Sequence, residues 1–190
     1  GGFPESVPTN TLTMQCPSGM AATQHAARAI MCGEGDTYIA SGVEDMQKVF
    51  MAMHMDFPPR LANRYNILEL PMGNTAEKVA EVYKVSRADM ETMAYWSNKK
   101  ADEATKAGKF KNEIIPMEGL KDDGTPFMVE TDQWIRGDVS MEQMATMKTP
   151  FKPDGVVTAA TSSPLTIGAA AILLMERSKA DKLGLSYSIK

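Results

Sequence analysis

Apolar and polar residues follow different periods in the first part of the chain. Residues 7–15 (VPTNTLTMQ) are rich in β-branched side chains and partly alternate, which predicts a strand. Residues 20–31 are rich in alanine and predict a helix that ends at Gly33 and Gly35. Residues 37–41 (TYIAS) predict a short apolar strand. A strand, a helix and a strand in this order favour an α/β architecture with parallel strands.

Helix signals dominate the middle of the chain. Asn74 and Glu77 have the spacing of a capping box before an apolar stripe. Ser86 and Asp89 start a second helix in the same way, and Gly108 is expected to end it.

The last part of the chain returns to extended segments. Ser140 and Gln143 open a short helix, and residues 156–160 (VVTAA) predict a strand. Residues 168–175 (GAAAILLM) predict a buried strand, and residues 178–183 predict a short helix.

These elements suggest a core that is interrupted by an inserted domain. Structureless loops longer than about 15 residues are uncommon, so the helical middle is interpreted as a domain of its own. The assignment is a core of residues 1–45 and 156–190 with a loop domain at 46–155. The chain begins Gly-Gly-Phe-Pro and ends Ser-Tyr-Ser-Ile-Lys, which we interpret as a piece of a longer polypeptide.

Composition excludes several classes of protein. The 190 residues are 43% hydrophobic and 23% charged, which is ordinary for a globular protein and unlike a disordered one. The net charge of −4 provides no basic face for nucleic acid. No run reaches the roughly 18 apolar residues of a membrane span, and no metal-ligand spacing occurs. The two cysteines favour a reducing compartment. We predict the cytoplasm and leave mitochondria and peroxisomes open.

Cys16 is the candidate nucleophile because it stands between a predicted strand and a predicted helix. Free N–H groups at a helix start stabilise a thiolate and suit a developing oxyanion. Ser18 and Gly19 are small enough to let a substrate approach the backbone. Such a cysteine suits acyl transfer through a thioester, and the alternative is a small buried apolar residue. Cys32 lies at the helix end, where the dipole disfavours an anion.

Neither histidine is placed to serve Cys16 as a base. His25 follows Cys16 by nine residues, about half a turn away around a helix, and is interpreted as a core or interface residue. His54 lies in a methionine-rich stretch (MAMHMDF). A base for Cys16 is therefore expected outside this chain.

Three separated blocks resemble thiolases. Residues 11–46 (TLTMQCPSGM to SGVEDM) resemble the segment around the acylated cysteine of that family. Residues 72–116 (MGNTAEKVAE to FKNEIIP) resemble the thiolase loop domain, and residues 156–185 (VVTAATSSPLTIGAAA to DKLGL) resemble the return to the core. The chain is identified as a member of the thiolase family, corresponding to part of the first half with its loop domain.

The resemblance implies a fold and an activity. The thiolase fold is an α/β fold whose two similar halves form five α/β/α/β/α layers. The implied function is an acyltransferase that cleaves 3-ketoacyl-CoA to acyl-CoA and acetyl-CoA, or runs the reverse Claisen condensation. CoA is a substrate, with no covalently bound cofactor, and a homodimer or tetramer is implied. The Ser-Ser-Pro-Leu-Thr block favours the fatty-acid β-oxidation type.

Two alternatives remain beside the thiolase interpretation. One is a non-catalytic subunit that binds CoA or acts as a scaffold and has kept the loop domain. The other is a related condensing enzyme such as a ketoacyl synthase, a family that lacks the long helical insertion interpreted at 46–155.

Four residues match family site positions. Cys16 matches the acylated nucleophile, and Met72 and Ser163 match positions that contact the pantetheine arm of CoA. Lys148 stands where the family often has arginine and suits the nucleotide phosphates as a point charge. The alternatives are loop packing for Met72 and Ser163, and a solvated surface residue for Lys148.

The chain also departs from the family pattern. Pro71 replaces a common histidine, Ile167 replaces an aspartate, and Pro17 removes a backbone N–H next to the nucleophile. The Asn-Glu-Ala-Phe, Gly-His-Pro and Cys-x-Gly blocks of the second half do not occur here. Those blocks supply the water-holding Asn, the activating His and the second catalytic Cys, so the full cycle is expected to need a longer enzyme.

Overall fold

The computed structural model describes residues 2–49 and 57–187. The described residues contain both helices and strands. In chain order they are α1 (Ser18–Met31), β1 (Thr37–Asp45), α2 (Pro59–Ala62), α3 (Met72–Tyr83), α4 (Arg87–Lys106), β2 (Met117–Leu120), β3 (Pro126–Val129), α5 (Met141–Ala145), β4 (Ile167–Met175) and α6 (Arg177–Lys182). Two 3₁₀ turns lie at Ile67–Glu69 and Ala159–Thr161.

The chain separates into two compact units. The first unit comprises Gly1–Met53 and Leu165–Lys190, and the second unit comprises His54–Pro164. None of the helices in the described ranges is both long enough and apolar enough to cross a membrane.

An antiparallel ribbon and two helices form the first unit. β1 pairs with β4 over nine residues, from Thr37 opposite Met175 to Asp45 opposite Ile167. α1 lies against β1, and α6 follows β4 directly. Within the described ranges its buried apolar residues are alanines, namely Ala26, Ala40 and Ala180.

Several expectations for the extended segments are wrong. Residues 7–15 form no strand, because Gln15 has φ +54° and no described strand pairs with this segment. The β1–β4 pair is antiparallel, not parallel. β4 itself is confirmed, but most of its side chains are exposed, since the ribbon has no third strand among the described residues.

Local capping signals locate two helices of the second unit correctly. Ser86 caps α4, because its hydroxyl oxygen accepts a hydrogen bond from the Asp89 N–H at 3.1 Å. Ser140 caps α5 by accepting from the Gln143 N–H at 3.2 Å. Gly108, with φ +68°, follows the end of α4 in the left-handed conformation that glycine adopts without strain.

The predicted capping box at Asn74 and Glu77 is wrong. α3 begins earlier, at Met72, so both residues lie inside the helix. The Asn74 side chain donates to the Leu68 carbonyl at 2.7 Å. The Glu77 carboxylate accepts hydrogen bonds from the N–H groups of a distant segment, residues 156–157. The strand predicted at residues 156–160 is wrong, because these residues pair with no strand among the described residues and a 3₁₀ turn begins at Ala159.

Candidate functional site

Cys16 is exposed in the turn that leads into α1. The turn is fixed by Ser18, whose hydroxyl donates to the Gln15 carbonyl at 2.6 Å and accepts from the Met14 N–H at 2.8 Å. Gln15 has φ +54°, a left-handed conformation that is uncommon outside glycine. The thiol is thus held at the helix start by a strained backbone and a local network of hydrogen bonds.

The N-terminus of α1, which is the positive end of the helix dipole, lies at this turn. α1 has no acidic residue in its first turn and no side-chain cap. The Ala21 N–H donates to the Pro17 carbonyl at 2.9 Å, and Pro17 itself has no N–H. Because the first N–H groups of a helix lack partners within it, they favour negative charge at this end. An anionic ligand oxygen at this end of the helix would meet a favourable field.

β1 passes beside the same helix start. A Cβ atom added to Gly42 would lie 3.9 Å from the Gly19 Cα, which is ordinary van der Waals contact. The Ser-Gly-Val-Glu block is therefore packed next to the Cys16 turn, although the two are far apart in sequence.

The other sulfur and imidazole groups lie elsewhere. Cys32 caps the C-terminus of α1, as predicted, and its N–H donates to the Arg28 carbonyl at 2.9 Å. Cys16 and Cys32 are both free thiols. His25 is exposed on α1, so its interpretation as a core residue is wrong for this chain. His54 lies outside the described residues.

The three residues predicted to contact CoA belong to the second unit, whereas Cys16 belongs to the first. Met72 is the first residue of α3 and is 65% exposed. Lys148 and Ser163 are also exposed, in loops after α5 and after the second 3₁₀ turn. A Cβ atom on Gly73 would overlap the Phe151 ring, so the start of α3 contacts the segment that carries Lys148.

A buried carboxylate joins α3 to the segment before Ser163. Both Glu77 oxygens accept from the Val156 N–H at 3.0 Å, and Oε1 also accepts from the Val157 N–H at 2.8 Å. A Cβ atom on Gly155 would overlap Glu77 Oε1. Sequence reasoning missed this contact. One signal was present: Glu77 lies three residues before the buried Ala80, on the same face of the helix.

A second missed group, Arg87, holds the segment before Lys148. Its Nε donates to Glu91 Oε1 at 2.6 Å, and Glu91 is buried. Its Nη2 donates to three backbone carbonyls at the end of α5, those of Met144 at 2.9 Å, Ala145 at 3.1 Å and Met147 at 2.8 Å.

Comparison with known proteins identifies the family. Residues 1–178 match the family model of the thiolase N-terminal domain. The chain belongs to the thiolase family. It is 44% identical over 185 residues to the 3-ketoacyl-CoA thiolase of Pseudoalteromonas translucida, covering 97% of this chain and 48% of that protein. It is 39% identical over 198 residues to the 3-ketoacyl-CoA thiolase of Bacillus subtilis, covering 100% of this chain and 51% of that protein.

Solved thiolase structures share the fold. The dimeric peroxisomal thiolase of Saccharomyces cerevisiae superposes with a TM-score of 0.84 at 34% identity, over 97% of this chain and 47% of that one. Human mitochondrial 3-ketoacyl-CoA thiolase gives a TM-score of 0.81 at 25% identity, over 97% of this chain and 50% of that one. The predicted thiolase resemblance and α/β thiolase fold are confirmed. The chain spans about half the length of the curated thiolases that it matches.

Proposed function

We propose that this chain is the part of a 3-ketoacyl-CoA thiolase that carries the acylated cysteine, Cys16. The observation that supports this role is the position of an exposed thiol at the uncapped start of α1, in a turn fixed by Ser18. The names of the thiolase relatives support the substrate class.

In the first step, the Cys16 thiolate attacks the ketone carbon, C3, of a 3-ketoacyl-CoA. The carbonyl electrons move onto oxygen, and the N–H groups at the start of α1 favour the resulting oxyanion. When the carbonyl re-forms, the C2–C3 bond breaks and its electron pair leaves with the acetyl-CoA enolate. Protonation of C2 completes acetyl-CoA and leaves the shortened acyl group on Cys16 as a thioester.

In the second step, the thiol of free CoA attacks the acyl-enzyme. A base removes the proton from that thiol, the new thioester forms, and the Cys16 sulfur leaves as thiolate. The base and the acid for both steps are assigned to the Gly-His-Pro and Cys-x-Gly blocks of thiolases, which this sequence does not contain. The opposite reaction, a Claisen condensation, follows the same steps in reverse order.

The second unit is proposed to bind CoA. Met72 and Ser163 would contact the pantetheine arm, and Lys148 would attract the nucleotide phosphates; all three are exposed to a ligand. The inserted loop domain, the homodimer or tetramer, CoA as a substrate without a covalently bound cofactor, and the cytoplasmic location remain predictions of the same proposal.

Trapping of the acyl-enzyme tests the role of Cys16. The full polypeptide that carries this sequence is incubated with a 3-ketoacyl-CoA in the absence of free CoA, digested, and analysed by mass spectrometry. We expect the acyl mass on the peptide that contains Cys16. Cys16→Ser should abolish the adduct, and Cys32→Ser, the matched control, should retain it.

An adduct on Cys32, or no adduct on the wild type, would overturn the catalytic proposal. CoA binding without any adduct would instead support the alternative, a non-catalytic CoA-binding subunit.

A further inference from the structure

Among the described residues, the buried Glu77 carboxylate pairs with backbone N–H groups and not with a cation. Glu77 is only 6% exposed. Within residues 2–49 and 57–187 its carboxylate takes part in no ion pair. Its charge is met by the backbone N–H groups of Val156 and Val157. Hydrogen bonds to an ionised acceptor are stronger than neutral ones, so this contact fixes the backbone firmly. Glu91 differs, because Arg87 neutralises it.

The carboxylate links the two chain segments that carry the predicted pantetheine contacts. On one side, α3 begins with Met72, five residues before Glu77. On the other side, the chain continues from Val157 into Thr158, whose N–H donates to Thr161 Oγ1 at 3.0 Å. The Ser162 hydroxyl then donates to the Thr158 carbonyl at 2.8 Å, immediately before Ser163.

We propose that Glu77 is a positioning residue that sets the register between Met72 and Ser163 for the pantetheine arm of CoA. This inference rests on the proposed function. Glu77 touches no substrate; it acts by holding residues 155–158 against α3. Lys148 follows Met147, whose carbonyl accepts a hydrogen bond from Arg87, so we expect nucleotide binding to depend far less on Glu77 than pantetheine binding does.

Two substitutions disturb the hydrogen bonds between Glu77 and residues 156–157 in different ways. Glu77→Ala removes both acceptors and leaves the Val156 and Val157 N–H groups unpaired. Gly155→Ala leaves the carboxylate in place but pushes a methyl group into Glu77 Oε1. Glu77→Gln keeps one carbonyl acceptor and should rescue partly. Glu81→Gln, on the same helix with a side chain that is 54% exposed, is the matched control.

The experiment compares two ligands by calorimetric titration of the full polypeptide that carries this sequence. CoA contains the pantetheine arm, and 3′,5′-ADP contains only the nucleotide. We expect Glu77→Ala and Gly155→Ala to weaken CoA binding by tenfold or more and to change 3′,5′-ADP binding by less than twofold. Hydrogen exchange at Val156 and Val157 should accelerate in both variants and remain unchanged in Glu81→Gln.

The outcomes separate this inference from the proposed function. CoA binding at wild-type strength in Glu77→Ala would overturn the positioning role and leave CoA binding by the wild type intact. Loss of both ligands would also overturn it, since that is general damage to the second unit. A wild-type protein that binds neither ligand would overturn the proposed function, and the positioning role with it.

Discussion

Among the described residues, the buried apolar residues of the first unit are alanines, whereas the second unit buries a full-sized methionine and two carboxylates. Ala26, Ala40 and Ala180 form the buried part of the first unit, while Ile39, Val43 and Leu173 on the ribbon are exposed. In the second unit, Met144 is completely buried and Glu77 and Glu91 are nearly so. The two parts of one chain therefore depend on different interactions.

The difference lies in how distant segments are joined. A backbone ladder joins β1 to β4 in the first unit, and it fixes register without needing large side chains. Polar side chains join the loops of the second unit to its helices: Glu77 binds residues 156–157, and Arg87 binds the end of α5. Lys99 of α4 also donates to the Gly137 carbonyl, at 2.5 Å. A few polar side chains on the helices thus hold segments that lie far away along the chain.

Loss of Arg87 should give the largest effect on stability. Arg87→Ala leaves Glu91 buried without a partner and frees three carbonyls, so we expect a loss of about 3 kcal/mol or more in the free energy of unfolding. Urea unfolding followed by tryptophan fluorescence measures it, because Trp96 and Trp134 both lie in the second unit.

Lys78→Ala is the matched control for Arg87. Lys78 and Glu81 form a pair at 3.4 Å with both side chains more than half exposed, so its loss should cost less than about 1 kcal/mol. Equal losses of stability in Arg87→Ala and Lys78→Ala would show that the contacts of Arg87 contribute no more to stability than an exposed ion pair does.

Truncation of an apolar side chain in each unit is the next test. Met144→Ala should lose about 2–4 kcal/mol because it opens a cavity in the second unit. Leu173→Ala on β4 should change stability by no more than about 0.5 kcal/mol, because Leu173 is 61% exposed. Urea unfolding by circular dichroism measures both. A large loss for Leu173→Ala would mean that the ribbon is covered in solution, and sedimentation would then reveal self-association.

The smallest expected effect is a pH-dependent one in the first unit. Lys179 donates to Asp36 at 2.6 Å, and with the Thr37 hydroxyl it lowers the pKa of Asp36 below its ordinary value of 3.8. A carboxyl whose pKa is lowered in the folded state stabilises the folded protein at pH values above its ordinary pKa. That stability is lost as the pH falls through the folded-state pKa.

Asp36→Asn should therefore be less stable than the wild type near neutral pH, and the gap should close below about pH 4. Urea midpoints between pH 3 and pH 7 measure it. Lys179→Met, the control, should show the same pattern, since it removes the same pair. A gap that stays constant down to pH 3 would contradict the assignment.

Sequence alone predicted the elements whose signals are local. Ser86 and Ser140 cap their helices through bonds to residues three positions away, so their spacing was sufficient. The alanine-rich run after Cys16 also predicted the helix that follows it, although the strand predicted before it does not form. The strand predictions for residues 7–15 and 156–160 were wrong because β-branched composition indicates only a tendency to form a strand. A strand also needs a neighbouring strand with which to pair.

Only the tertiary structure decided which backbone groups the side chains of Glu77 and Arg87 bind. Glu77 has the spacing of a helix cap, yet its carboxylate binds N–H groups 79 and 80 residues away. Arg87 reaches carbonyls 57 to 60 residues away. The sequence determined where α4 and α5 begin and which cysteine precedes a helix start, because those depend on neighbours along the chain. The folded chain chose the partners of buried charges, because a charge removed from water must be met by whichever groups packing places beside it.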